Sequence, residues 1–248
     1  MAGTIIVTGG SRGIGAATAL LAARKGYAVC VNYTEQAGRA EQIVETIRQE
    51  GGRAIAVQAD VSDEAAVKVM FDRTEAELGD ITGLVTNAAI TGKATRLADL
   101  QVADLRRVLE VNILGTIVCC REAVRRMSTA LGGSGGSIVN ISSRAAHYGA
   151  PGEYVHYAAS KAAIESFTFG LAGEVGPEGI RVNCVSPGVI DTEIHATAGD
   201  PEKAGRVGSR APLQRPGRAD EVAAAILWLL SEEASYCSGT VLAVSGGR

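Results

Sequence analysis

The sequence predicts an α/β fold in which a doubly wound, seven-stranded parallel sheet carries helices on both faces. Short apolar, β-branched runs alternate along the chain with longer stretches of helical periodicity. The runs are almost continuously apolar, as expected for strands that helices cover on both sides. No linker or change of composition divides the 248 residues, so we expect one domain over residues 1–248.

The predicted elements follow one another in regular order. In chain order, the predicted strands are 4–8, 28–32, 54–58, 83–86, 137–141, 181–185 and 241–244. The predicted helices are 13–25, 37–50, 64–78, 100–130, 152–175 and 219–230. The glycine-rich stretch 132–136 is interpreted as a short connection into the fifth strand. Strands that alternate with helices in this way predict parallel pairing.

Composition and charge exclude several classes of protein. A net charge of −3 without a basic cluster argues against nucleic-acid binding. The N-terminus shows no signal peptide, and the longest apolar run, 223–230, is too short to span a membrane. The five cysteines form no Cys-x-x-Cys pair, and the three histidines lack metal-type spacing. We therefore expect a cytoplasmic protein with no metal site.

A glycine loop directly follows the first predicted strand. Gly9, Gly13 and Gly15 lie between this strand and the first helix. Gly9 allows a tight turn, while Gly13 and Gly15 let the backbone approach a pyrophosphate at the helix N-terminus. A Walker-type phosphate loop would require Gly-Lys-Ser/Thr, which is absent. The pattern therefore predicts a dinucleotide-binding Rossmann fold.

A second pattern combines Tyr157 with Lys161, four residues later. On a helix this spacing places the phenol and the ammonium on one face. A neighbouring ammonium would lower the pKa of the tyrosine and make it a usable proton donor and acceptor. Together with the glycine loop, the pair predicts hydride transfer accompanied by proton transfer.

Six motifs follow one another along the chain: Thr8–Gly15 (T-G-x-x-x-G-x-G), Asp60-Val61, Asn87-Ala88-Ala89, Asn112, Tyr157–Lys161 (Y-x-x-x-K) and Pro187–Thr192 (P-G-x-I-x-T). In this order they give the chain an end-to-end resemblance to the short-chain dehydrogenase/reductase family. It is similar to the branch of about 250 residues that includes 3-oxoacyl-acyl-carrier-protein reductases and glucose dehydrogenases. Thr86 and Ala89 replace the first asparagine and the glycine of the family's N-N-A-G motif.

The resemblance implies a role for each catalytic candidate. Tyr157 would be the general acid in carbonyl reduction and the general base in alcohol oxidation. Lys161 would lower its pKa and bind the nicotinamide ribose. Ser143, fourteen residues before Tyr157, would polarise the carbonyl, although Ser142 competes for that role. Asn112 would hold a water that links Lys161 to solvent, or would instead be a helix-packing amide.

The resemblance also implies a cofactor site, for which NADP(H) is favoured over NAD. The second strand ends Asn32-Tyr33-Thr34 without a carboxylate at its tip, and Glu35 follows too late. Arg12 in the glycine loop is suited to pair with a 2′-phosphate. The expected cofactor-binding residues are Gly9, Ser11, Arg12, Gly13, Ile14, Gly15, Asn32, Tyr33, Asp60, Val61, Asn87, Ala88, Ala89, Tyr157, Lys161, Pro187, Gly188, Ile190 and Thr192.

The sequence leaves the substrate open. One of the basic residues that dock an acyl carrier in the family is replaced by Glu178, although Arg125 and Arg126 are possible substitutes. A small ketone, secondary alcohol or sugar is therefore about as plausible as an acyl carrier. A dinucleotide-binding sensor without catalysis is the non-enzyme alternative.

Three further expectations concern the surroundings of the site. The polar segment 193–215 suits a mobile lid. His147, Glu153, Tyr154 and His156 are candidate substrate contacts. The final strand and the helices 100–130 and 152–175 resemble the family's packing faces, which implies a dihedral homotetramer.

Overall fold

A computed structural model describes residues 3–193 and 202–248. Its seven strands form one parallel sheet, which confirms the predicted fold class. The sheet positions the loops that follow the strands along a single edge. The strands are β1 Thr4–Val7, β2 Ala28–Tyr33, β3 Ala54–Gln58, β4 Ile81–Thr86, β5 Gly136–Ile141, β6 Ile180–Pro187 and β7 Val241–Val244.

The strand order is β3-β2-β1-β4-β5-β6-β7. The chain winds outward from β1 in one direction through β2 and β3, then returns to pair β4 with the other side of β1. The order therefore reverses between β1 and β4. Ligands bind at such a switch point, outside the carboxyl ends of the strands, in open α/β sheets.

Helices cover both faces of the sheet and enclose two apolar cores. On one face α3 and α5 pack against the strands, and on the other α1, α2 and α9 do so. The helices are α1 Gly13–Arg24, α2 Ala37–Gln49, α3 Glu64–Leu78, α4 Val102–Leu109, α5 Thr116–Met127, α6 Ala145–Tyr148, α7 Val155–Val175, α8 Lys203–Gly208 and α9 Ala219–Leu230.

Helix α3 shows how the sequence specifies these layers. Asp63 caps its N-terminus by accepting hydrogen bonds from the amides of Ala65 and Ala66 at 2.9 and 3.1 Å. Val67, Phe71 and other apolar residues recur at helical spacing and are buried. Burying a side chain of this size contributes about 1.5–3 kcal/mol relative to exposure.

The predicted long helix 100–130 is wrong in one respect. A π-helical turn at Glu110–Gly115 separates α4 from α5. An extra residue in one turn shifts the phase of the helix, and such turns frequently occur at functional sites. Asn112 lies within this turn, and its side chain is fully buried. The irregularity therefore coincides with a predicted catalytic residue.

Other differences are smaller. The short helices α6 and α8 were not predicted, and the predicted helix 152–175 begins only at Val155. β6 extends from Ile180 to Pro187, beyond the predicted 181–185. Residues 194–201 of the expected lid lie outside the described residues.

The cysteines and helices agree with the compositional analysis. All five cysteines are free, and four of them are buried. Burial raises the pKa of the Cys30 thiol to about 12, as expected of an inert, apolar environment. Within residues 3–193 and 202–248, no helix is both long and apolar enough to cross a membrane.

Candidate active site

A large cleft lies at the carboxyl edge of the sheet, at the switch point between β1 and β4. Its volume is about 1190 Å³, larger than the roughly 300–1,000 Å³ typical of a site for one small ligand. It extends from the glycine loop and the end of β2 to the N-terminal part of α7. Most of the predicted site residues line it: Gly9, Ser11, Arg12, Gly13, Ile14, Tyr33, Asp60, Val61, Asn87, Ala88, Ala89, Ser143, Tyr157, Lys161, Pro187, Gly188, Ile190 and Thr192.

The glycine loop is built for close approach of backbone to ligand. Gly9 has a φ of +60°, a conformation that favours glycine. A Cβ atom at Gly15 would collide with the carbonyl oxygen of Gly9, so the helix start and the turn are in direct contact. Asn87 secures this arrangement by donating from Nδ2 to the oxygens of Thr8 and Gly9, at 2.9 and 3.0 Å.

This loop fits a dinucleotide pyrophosphate. The N-terminus of α1 points its free amides into the cleft, where they complement negative charge. Gly9 and Gly13 have no side chain beyond a hydrogen atom, so phosphate oxygens can reach the backbone. Gly15 itself lies behind the cleft wall, where it permits the close packing.

Asn32 lies beneath the loop and does not line the cleft. Its Oδ1 accepts from the Gly9 amide at 3.2 Å, and its Nδ2 donates to the Ala59 oxygen at 2.9 Å. The side chain is 1% exposed, so it is unavailable to a ligand. Its place in the structure is therefore that of a support, which ties the glycine loop to the end of β3, rather than the predicted contact with the cofactor.

Asp60 is held rigidly at the rim of the cleft. Its Oδ1 accepts from the Ser62 amide and hydroxyl at 2.9 and 2.7 Å, and its Oδ2 accepts from Arg107 at 2.6 Å. Partial burial opposes ionisation, but these hydrogen bonds prevail and lower the pKa of the carboxyl. Arg107 was not predicted to belong to the site, because no sequence spacing links α4 to the end of β3.

A cluster of charges borders the far end of β2. The Glu193 carboxylate lies 3.9 Å from Arg12 Nη1 and also pairs with Arg39 of α2. Both arginine side chains are about half exposed. Arg12 lines the cleft together with Tyr33, Thr34 and Glu35, and Arg39 joins it through the shared Glu193 carboxylate. No motif in the sequence indicated that Arg39 takes part in this cluster of charges.

Tyr157 and Ser143 meet at the opposite end of the cleft. The Ser143 side chain lies close enough to Tyr157 to favour its ionised form, and its hydroxyl accepts from the Ala145 amide at 3.2 Å. Burial raises the pKa of the Tyr157 phenol to about 12, although Ser143 opposes this. The expected lowering by Lys161 is therefore wrong for this arrangement, and Tyr157 is protonated at neutral pH.

Lys161 is almost fully buried, one helical turn from Tyr157. Its ammonium donates to the Ile141 oxygen at 2.7 Å and lies 5.8 Å from the centre of the Tyr157 ring. Desolvation lowers its pKa to about 8. The lysine is therefore anchored to the end of β5, with its charged form disfavoured but still predominant at neutral pH.

The two competing serines occupy different environments. Ser142 is 3% exposed, and its hydroxyl bonds the Lys161 oxygen at 3.2 Å and Glu165 Oε1 at 2.8 Å. The other oxygen of Glu165 lies 3.1 Å from His147 Nε2. Both serines line the cleft, but Ser142 belongs to a supporting network, whereas Ser143 influences the pKa of Tyr157.

Asn112 uses its whole amide for structural contacts. Oδ1 accepts from the Ile90 amide at 2.9 Å, while Nδ2 donates to the Ile90 oxygen at 2.9 Å and to Ser160 Oγ at 3.0 Å. The side chain therefore connects the loop after β4 to α7, directly beneath Lys161. These bonds match the packing alternative.

The remaining substrate candidates divide in two. His147, Glu153 and Tyr154 line the cleft. His156 is buried, with Nε2 at 3.1 Å from the Thr91 oxygen, and does not contribute to the cleft wall. Arg206 and Arg210, which belong to the segment predicted as a lid, also line the cleft. Arg248 lines it as well, although its sequence position gave no indication of this.

The chain is similar to known oxidoreductases over almost its whole length. The family model described as enoyl-(acyl carrier protein) reductase matches residues 9–248. The uncharacterized oxidoreductase YgfF of Escherichia coli is 51% identical over 98% of both chains. A cis-4-hydroxycyclohexanecarboxylate dehydrogenase of Sinomonas cyclohexanicum is 40% identical over 98% of this chain and 94% of its own. A short chain dehydrogenase from Burkholderia cenocepacia, solved in complex with NADP, is 39% identical with a TM-score of 0.90, over 98% of this chain and 96% of that one.

Proposed function

The chain belongs to the short-chain dehydrogenase/reductase family and is an NAD(P)-dependent oxidoreductase. From this premise we propose that it reduces a small ketone to a secondary alcohol with NADPH, using Tyr157 as the general acid. The observation that carries the proposal is that Ser143, Tyr157 and Lys161 line the same cleft as the glycine loop. We further propose that one domain contains the entire site.

The mechanism follows from where each group lies. A nicotinamide cofactor held by the glycine loop and Lys161 would supply a hydride to the carbonyl carbon. Ser143 donates a hydrogen bond to the carbonyl oxygen and stabilises its developing charge. Tyr157 transfers its proton to that oxygen, completing the hydroxyl group. The nearby Lys161 ammonium then stabilises the tyrosinate electrostatically until the phenol regains a proton.

A substrate panel tests the proposal. NADPH consumption is measured at neutral pH with 4-oxocyclohexanecarboxylate, sugars, diketones, simple ketones and acyl thioesters. The cyclic oxo acid is included because the Sinomonas relative is named for the corresponding hydroxy acid. We expect turnover with at least one ketone. Binding of NADPH without turnover of any compound, in either direction, would favour the sensor alternative.

The two serines provide a matched pair of variants. We expect Ser143→Ala to lower kcat by roughly a hundredfold or more, because it removes a donor aimed at the developing oxyanion. Ser142→Ala instead leaves a buried Glu165 oxygen short of one donor, which lowers the free energy of unfolding by about 1–3 kcal/mol. Steady-state kinetics and urea unfolding measure both effects. A larger loss of kcat in Ser142→Ala would exchange the two assignments.

Preference for NADPH is supported by the charges beyond β2. We expect Arg12→Gln to raise KM for NADPH about tenfold while changing KM for NADH little, since NADH lacks the 2′-phosphate. Glu193→Gln is expected to lower KM for NADPH, because its carboxylate occupies Arg12 and Arg39. Equal changes with both cofactors in Arg12→Gln would assign the arginine to another part of the dinucleotide.

An acyl carrier protein is a less well supported substrate carrier. Arg125 and Arg126, the possible replacements for the docking residues, both pair with Glu122, at 2.8 and 2.7 Å. Arg126 also pairs with Asp72 and Glu75. These ion pairs neutralise the surface that would attract an acidic carrier, so a small diffusible ketone is favoured.

We also propose a homotetramer in a reducing, cytoplasmic compartment. Large apolar side chains are exposed on α7 and near β7, among them Phe169, which is 74% exposed, and Val241, which is 36% exposed. Burying such faces between subunits removes apolar surface from water. Light scattering at micromolar concentration is expected to give four times the 25.5 kDa chain mass. A monomeric mass would contradict the assembly.

A further inference from the structure

The catalytic end of the cleft carries an excess of positive charge. Its cationic lining residues are Arg144, Lys161, Arg206, Arg210 and Arg248, whereas Glu153 is its acidic residue within the described part of the chain. The protein as a whole has a net charge of −3. Cations concentrated in a concave site on an acidic protein attract anionic ligands.

The distribution within the cleft shows that these cations are not matched to the cofactor's phosphates. At the glycine-loop end, Arg12 and Arg107 are accompanied by the acids Glu35, Asp60 and Glu193. The charges there are nearly balanced. The excess comes from the rest of the cleft lining, which includes Arg144, next to Ser143 in the sequence.

Three of these residues form a group that we call the arginine rim: Arg144, Arg210 and Arg248. Over residues 3–193 and 202–248, none of the three forms an ion pair with an acidic side chain, whereas Arg107 on the same cleft pairs with Asp60 at 2.6 Å. Unpaired guanidinium groups retain donors for a bound anion.

Local contacts hold two members of the rim in place. Arg144 directly follows Ser143, and its Nε donates to the main-chain oxygen of Arg248 at 2.9 Å. The guanidinium carbon of Arg248 lies 5.1 Å from the centre of the Tyr148 ring, a cation–π contact. Such anchoring limits the entropy lost when a ligand binds.

We propose that the substrate is a small oxo acid or hydroxy acid whose carboxylate is bound by the arginine rim while its carbonyl or hydroxyl faces Tyr157 and Ser143. This inference rests on the proposed function. Guanidinium groups bind carboxylates through paired, charge-assisted hydrogen bonds, which fix orientation as well as affinity. The rim would therefore select acids over neutral ketones and direct the reacting group inward.

The test compares acids with their neutral esters. The probes are levulinate and 4-oxocyclohexanecarboxylate, each with its methyl ester, so that the ketone is unchanged. We expect the wild-type kcat/KM to be about tenfold to a hundredfold higher for the acids. Arg210→Gln and Arg248→Gln should reduce this ratio towards one without changing KM for NADPH. Arg106→Gln, at an exposed position outside the cleft, is the matched control and should retain it.

A binding measurement separates this inference from the proposed reaction. Titration calorimetry follows cyclohexanecarboxylate and cyclohexylmethanol binding to the NADP⁺-loaded protein and its rim variants. The acid should bind more tightly than the alcohol, and at least tenfold less tightly to the variants. If ketones and esters are reduced as well as acids, the proposed function stands and the inference is wrong. If no probe is reduced, the proposed function fails for these ketones, and equal acid binding by wild type and variants overturns the inference independently. A rise in KM for NADPH with an unchanged acid-to-ester ratio assigns the rim to the cofactor.

Discussion

Tyr157→Phe is expected to lower ketone turnover by roughly a hundredfold to ten-thousandfold, the usual contribution of a positioned proton donor. The Tyr157 phenol shares the cleft with Ser143, and burial raises its pKa to about 12, which keeps it protonated at neutral pH. Phenylalanine preserves the ring beside Lys161 and removes the transferable proton. The measurement is kcat for the best ketone of the panel, with NADPH.

Cofactor affinity is the internal control for this variant. The glycine loop, Asn87 and Arg12 lie at the other end of the cleft, so the Kd for NADPH should change less than threefold, about 0.6 kcal/mol. Wild-type turnover in Tyr157→Phe would remove Tyr157 from the mechanism. A large loss of cofactor binding would instead show that the ring itself shapes the site.

The second large effect is expected for Lys161→Met, which should lose turnover by orders of magnitude and yet retain stability. A fall in pKa from 10.5 to about 8 means that burial disfavours the ammonium by about 3 kcal/mol. Methionine removes that penalty but leaves the Ile141 carbonyl without its donor, which costs about 1–3 kcal/mol. The two contributions nearly cancel. The measurements are kcat with the best ketone of the panel and the free energy of unfolding in urea.

The pH dependence of stability checks the electrostatic part of this argument. Between about pH 8 and pH 10.5 the unfolded chain holds a proton on Lys161 that the folded protein has released. The free energy of unfolding should therefore gain a favourable contribution as pH rises through this range, and the penalty is complete below pH 8. The difference between wild type and Lys161→Met, from urea unfolding at several pH values, isolates this contribution. If the difference in the free energy of unfolding between wild type and Lys161→Met does not change with pH, the lysine is well solvated.

The fold was predictable because its signals are local and repeated. Apolar β-branched runs such as Ile5–Val7 specify buried strands, and the helical stretches between them require parallel pairing. Most residues predicted to bind the cofactor line the cleft, since the positions after β1 and β4 meet at the sheet edge. The strand order itself came from the structure.

What could not be predicted depends on contacts between distant segments. Asn32 has a polar side chain of the kind that binds ligands. Its amide, however, is fully used in hydrogen bonds to the glycine loop and the end of β3. The choice between Ser142 and Ser143 depends on Glu165, which no sequence spacing connects to either. The raised pKa of Tyr157 arises from burial, which becomes known only when the cleft walls are in place.

The π turn at Glu110–Gly115 changes the rotational phase between α4 and α5, which would otherwise form one continuous helix. Upstream, α4 presents Arg107 to Asp60, and downstream, α5 turns Cys119 and Met127 towards the core. Excising one residue from the turn would restore a regular helix but rotate everything after it by about 100°. The contact of Arg107 with Asp60 and the packing of α5 in the core could then not both form. This segment should therefore tolerate substitutions far better than changes of length.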